Sequence, residues 1–141
     1  MGLLADLVIA DEDEAEALSV AVAPLKKWQG VDAKGLDEVK LAKLYALLTS
    51  VPYQKGLLRE FELRASGSDN GPWVTRLPLA LVQALASLTD LEITARAWAE
   101  IEEFDRDGWK KEAVARALGR LCDAARQAEA SHKRIFLRLS L

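Results

Sequence analysis

The chain carries one histidine and one cysteine in 141 residues, and that scarcity removes most familiar chemistry. A Ser–His–Asp triad would need His132, and a Cys–His pair would consume both His132 and Cys122. A zinc site takes about four Cys, His or carboxylate ligands, so no metal is expected. No Gly-x-Gly-x-x-Gly or Gly-x-x-x-x-Gly-Lys loop is present to cradle phosphate, and no cofactor is expected. A lone cysteine forms no intramolecular disulfide. Cys122, beside Leu121 and close to alanines, reads as a buried thiol in a reducing, cytoplasmic setting. No apolar run approaches the roughly 18 residues of a membrane span. The opening residues 1–5 lack a basic segment and acids follow at once, so no secretory leader is expected. Gly2 lacks the downstream Ser or Thr of a myristoylation signal, since Asp6 stands there.

What is present suits one globular domain over residues 1–141: half the residues are apolar and 29% are charged. The net charge is −3, but it is unevenly spread. Residues 1–107 hold 19 acids and 11 bases, a net of −8; residues 108–141 hold 3 acids and 8 bases, a net of +5. An acidic surface attracts basic partners and repels nucleic-acid phosphate, so no nucleic acid is expected as a partner, and no membrane.

The apolar run 3–10 reads as a buried strand. The acids Asp11 to Glu16 open a helix, with Asp13 and Glu16 at capping-box spacing. Leu18, Val22, Leu25 and Trp28 mark its inner face, and Pro24 kinks or ends it. Gly30 and Gly35 bound a loop. Leu36–Leu48 forms a second helix with Leu41, Leu44 and Leu48 inward. Residues 57–65 read as a strand with Phe61 and Leu63 on one side, joined by the turn 66–72 to a returning strand, 73–77, whose Trp73 belongs to the core. Pro78 starts a helix striped by Leu81, Leu85 and Leu88. Thr89 to Glu92 forms a capping box for a helix reaching Phe104, with Ile93, Ala97, Ile101 and Phe104 inward. Lys110–Ala130 is the longest helix, with Val114, Leu118, Leu121, Ala125 and Ala128 inward. Residues 134–141 alternate strictly, placing Ile135, Leu137, Leu139 and Leu141 on one face. The predicted fold is α+β, in the order β-α-α-β-β-α-α-α-β: a small mixed or antiparallel sheet with about five helices against it. The last strand is expected to pair with the first or with the hairpin.

The stretch 36–49, LDEVKLAKLYALLT, resembles the helix ending in LLTG of the YfbM-like bacterial proteins. The stretch 71–85, GPWVTRLPLALVQAL, looks like that family's GPARYL strand and the Pro-started helix after it. The closing helix and apolar strand correspond in order. Near Lys40 to Lys43, where the family carries a tryptophan, this chain has lysines. The resemblance implies a similar fold. The family is of unknown function, so it implies no site residue.

Asp32, Glu38 and Lys40 match the Asp…Glu-x-Lys spacing of metal-dependent nucleases. Glu38 and Lys40 fall on a predicted helix, where i and i+2 point apart, so a solvated helix face accounts for them. The basic residues Lys133, Arg134 and Arg138 suit an anion, but balancing the acidic helices or guarding a strand edge is the leading reading, and His132 reads as an exposed loop residue. The second acid cluster, residues 100–107, is more suggestive. On a continuous helix, Trp98, Glu102, Asp105 and Trp109 share one side, with Glu103 beside them. Tryptophan offers contact area and cation–π attraction, and carboxylates take Arg or Lys. These five residues, Trp98, Glu102, Glu103, Asp105 and Trp109, form the candidate partner-binding face; no residue is assigned as catalytic. The leading reading is a small acidic intracellular module that binds a basic protein, in the manner of an immunity protein or antitoxin. One alternative is a hydrolase using the carboxylates of residues 100–107, alone or with a metal. Another is an oligomerising structural protein whose C-terminal strand pairs between chains.

Overall fold

A computed structural model describes residues 4–141; residues 1–3, which include Gly2 and the first residue of the predicted strand, lie outside the described residues. The described residues form an α+β fold around one five-stranded antiparallel sheet. Its strands are β1 (Leu4–Ala10), β2 (Gln29–Asp32), β3 (Glu62–Ser66), β4 (Trp73–Arg76) and β5 (Arg134–Ser140). The helices are α1 (Ala15–Val20), α2 (Glu38–Thr49), α3 (Leu79–Ala86), α4 (Leu91–Ala99), α5 (Glu102–Arg106) and α6 (Lys111–Ala130).

The sheet order is β2-β1-β5-β4-β3. The expected pairing of the last strand is observed twice over, because β5 runs between β1 and β4. That position leaves β5 no free edge, so it cannot be the strand that pairs between chains. The free edges are β2 and β3. The β3 edge carries Glu62 and Arg64 and an irregular register between Leu63 and Ala65, features that discourage edge-to-edge pairing.

Alternation sorts the central strands between two layers. Leu7 and Ile9 of β1 and Ile135 and Leu137 of β5 face α2, α3, α4 and α6, in the main core. Val8, Ala10 and Phe136 face the other way, where α1 covers them with Ala15 and Leu18. The buried residues of α6 (Val114, Leu118, Leu121, Ala125 and Ala128) keep the predicted spacing, and Cys122 is buried with them. Burial pushes its thiol pKa up, so it is not activated.

Several local expectations are corrected. The capping box lies at Asp11 and Glu14, whose carboxylate accepts the Asp11 N–H at 2.8 Å, not at Asp13 and Glu16. Helix α1 ends at Val20, so Val22 is 98% exposed and Leu25 is largely exposed rather than inward. The loop expected around Gly30 contains β2, too short and too polar to show a strand pattern. Residues 55–60 form a 3₁₀ helix, so the strand starts only at Glu62, and Leu63 points outward on it. Trp73 is half-buried. The helix predicted from Thr89 to Phe104 is capped by Asp90 instead and stops at Ala99; Ile101 is extended and α5 restarts after it. Ile93 is 64% exposed and Ala97 is exposed as well.

Candidate functional site

The break between α4 and α5 decides the geometry of the acidic cluster. A continuous helix would carry Trp98, Glu102, Asp105 and Trp109 along one outward stripe. The extended Ile101 turns the chain back instead, so that Phe104 packs edge-on against Trp98, with ring centroids 4.9 Å apart at 80°. Phe104 in turn meets Trp109 at 4.8 Å. The three rings form a stack running from the core outward. Trp98 is fully buried at its inner end, and its indole N–H donates to the Lys40 carbonyl at 2.9 Å. It is therefore a core residue and cannot anchor a partner. Trp109 is half-buried at the outer end.

Two lysines of α2 hold α5 in place. Lys40 is 1% exposed. Its Nζ donates to Asp107 Oδ2 at 2.6 Å and to the Gly35 carbonyl at 2.5 Å. It also lies 5.6 Å from the Phe104 ring centroid and 5.5 Å from that of Trp109, within cation–π range. Lys43 Nζ donates to both carboxylate oxygens of Glu103, at 2.6 and 2.8 Å. Glu103 is only 7% exposed, so it is a structural ion-pair partner rather than part of a free acidic face. Burial alone would raise its pKa, but the Lys43 hydrogen bond, its own backbone N–H and the Lys43 and Arg106 charges together hold it below the ordinary carboxylate value. The Lys40 hydrogen bond likewise holds Asp107 below its ordinary value. A general acid would need the opposite shift, so these two carboxylates do not favour the hydrolase reading.

Of the five residues singled out from the sequence, Glu102 and Asp105 remain exposed on α5. Neither has a cation within ion-pair distance among the described residues, whereas Glu103 and Asp107 do. The structure thus presents two unpaired carboxylates on a short helix fixed from beneath. Lys40, expected on a solvated helix face, is instead buried, and the sequence pointed to no role for Lys43. The available signal was their place beside Leu41 and Leu44, on a helix whose inner face they interrupt.

Trp109 also belongs to a second feature. Its ring borders a groove of about 210 Å³ between α6 and the loop after β2. Gly35 lies against that ring with φ +90; a Cβ there would come within 2.7 Å of it, so glycine is needed both for the backbone and for seating the indole. Leu7, Val31, Leu36 and Leu121 floor the groove, and Lys34, Arg116 and Arg120 stand around it with Asp32. Asp32 Oδ1 accepts the Lys34 backbone N–H at 2.9 Å. Among the described residues, no group of three or more His, Cys, Asp or Glu side chains is placed to hold a metal.

Neither protein-family comparison nor comparison with curated proteins and solved structures finds a match for this chain. Among the described residues, no helix is long and apolar enough to cross a membrane.

Proposed function

We propose that the protein is a non-enzymatic binding module that occludes a basic partner protein, in the manner of an immunity protein or antitoxin, and that it acts in the cytoplasm. The observation that carries this reading is the division of labour on and around α5. Glu103 and Asp107 are consumed by Lys43 and Lys40, which fixes the backbone. Glu102 and Asp105 are left outward and unpaired. A backbone already tied down spares the cost of ordering the helix on binding, and the two free carboxylates steer a basic surface toward the ridge. The lone buried cysteine supports a reducing compartment. The likeness to the YfbM-like proteins supports the same order of elements and adds no site, since that family has no assigned function.

The test is capture of a partner from source lysate by the wild-type protein and by a Glu102→Lys, Asp105→Lys variant. The proposal expects a basic protein retained in stoichiometric amount by the wild type, released by moderate salt, and lost with the variant. Equal retention by both would assign binding to another face.

A further inference from the structure

Segment 108–141 carries the chain's positive charge, and the fold gives part of it a use. Arg116 and Arg120 are four residues apart on α6 and therefore stand on one side of it. Both are exposed, and neither is paired with a carboxylate among the described residues, although most other arginines are: Arg64, Arg76, Arg96, Arg106, Arg126, Arg134 and Arg138 all have a carboxylate within 4.0 Å. Lys34 faces them from the loop after β2 and is likewise unpaired. The three cations ring the groove whose floor is apolar and whose wall is the Trp109 indole. The one acid there, Asp32, already accepts the Lys34 backbone N–H. The rim is thus positive over an apolar floor.

We infer that this groove is a binding site for a small organic acid: an apolar body, a single ring or short acyl chain, that ends in a carboxylate. The apolar part would lie on Leu36 and Leu121 against Trp109, and the carboxylate would meet the guanidinium groups of Arg116 and Arg120. Arginine suits this role because its planar donors match a carboxylate in pairs. The size follows from the volume: about 210 Å³ is below the ~300–1,000 Å³ of pockets that enclose drug-sized ligands. Burial of the ring on an apolar floor with one charged end at the rim is the usual division between affinity and orientation in such sites. The groove shares no lining residue with Glu102 and Asp105 of the acidic ridge.

The probe is 3-phenylpropionate, titrated into the full chain while the backbone amides of Lys34, Arg116 and Arg120 and the Trp109 indole N–H are followed by NMR. The uncharged 3-phenylpropionamide and sodium acetate serve as controls for the apolar body and the charge taken singly. Saturable shifts confined to the groove are expected with the carboxylate. The amide, acetate and an Arg116→Gln, Arg120→Gln variant should each bind weaker by about tenfold or more, as loss of a charge-assisted contact implies. Both arginines are exposed and unpaired, so the variant should keep the wild-type melting curve; if it does not, the single Lys34→Gln variant gives the same comparison with a smaller decrease. Absence of saturable shifts, equal affinity for the amide, or unchanged affinity in a folded variant would each overturn the assignment.

Discussion

On one side of the sheet, the five helices α2 to α6 close a continuous core that includes Trp98, Phe104, Leu118 and Leu137. On the other, α1 covers a cluster of six buried residues, Val8, Ala10, Ala15, Leu18, Val74 and Phe136, with Trp28 and Ala65 packed against it. The second cluster is much the smaller of the two. A buried arginine supplements it. Arg138, on the central strand β5, reaches across with its Nε donating to the Leu18 carbonyl at 2.8 Å and its Nη2 to the Ala21 carbonyl. Both carbonyls lie at the C-terminal end of α1, where the Leu18 oxygen also accepts the Ala21 backbone N–H at 3.4 Å. On the helical side the corresponding cations are Lys40, which is buried, and Lys43, which is half-buried; they tie α5, whose Phe104 is itself part of the core, to α2. The contrast shows one device, a lysine or arginine gripping backbone or carboxylate oxygens, applied to a large core on one face and to a small one on the other.

The largest expected effect tests the helical face. Trp98→Ala removes the inner ring of the aromatic stack and its bond to Lys40, and should cost about 3–5 kcal/mol in denaturant unfolding. A loss under 1 kcal/mol would mean that the ring is not part of the core.

Next come the two ends of one ion pair. Asp107→Ala leaves the Lys40 ammonium buried with the Gly35 carbonyl and the more distant Asp37, at 3.9 Å, so the thermal midpoint should fall clearly. Lys40→Met removes the buried charge and keeps its bulk, and should leave the midpoint nearly unchanged or raise it, as replacement of buried ion pairs by apolar groups often does. If both variants fall equally, Lys40 has a packing role that its charge does not explain.

Arg138→Ala sharpens the comparison from the other face. Losing its bonds to the α1 carbonyls should cost about 1.5–3 kcal/mol. Hydrogen exchange should show α1 amides opening before those of α6 even in the wild type, and the substitution should widen that gap. Uniform protection across both faces would dissolve the distinction.

A smaller effect concerns acid. Glu103 and Asp107 have pKa values below the ordinary 4.5 and 3.8, so their pairing stabilises the fold fully above those values and is lost as pH falls through the lowered ones. Asp6 and Glu38 are shifted up, chiefly by burial, and oppose that loss as they protonate. Glu103→Gln should therefore flatten the acid side of a stability-against-pH curve below about pH 4.5. An unchanged slope would show that the Lys43 pair does not contribute to acid sensitivity.

The smallest effect is expected at Glu102→Lys with Asp105→Lys. Both side chains are exposed and unpaired, so stability should stay within about 0.5 kcal/mol of wild type. A larger loss would place them in the structural framework with Glu103.

Wherever burial follows a repeating pattern, the chain declares its structure. Strict alternation identifies β5, heptad-like spacing identifies α6, and an apolar run identifies β1, because each pattern is set by side chains facing a common core. The α+β class and the pairing of β5 with β1 or with the hairpin followed from these; that it pairs with both is seen only in the sheet order. Strand β2, four residues with Gln29 and Gly30, has no such pattern; its pairing with β1 creates it. The site was legible only in part. Glu102 and Asp105 are exposed as the acid cluster implied, whereas Trp98 and Glu103 are buried, because the chain turns at Ile101 and no residue there signals a stop as Pro or Gly would. Composition by itself determined the poverty in His and Cys and the segregation of charge along the chain. Which charges face solvent, which disappear into ion pairs, and which gather around a groove was decided by tertiary structure, since those outcomes depend on distances between residues far apart in sequence, such as Lys40 and Asp107 or Lys34 and Arg116.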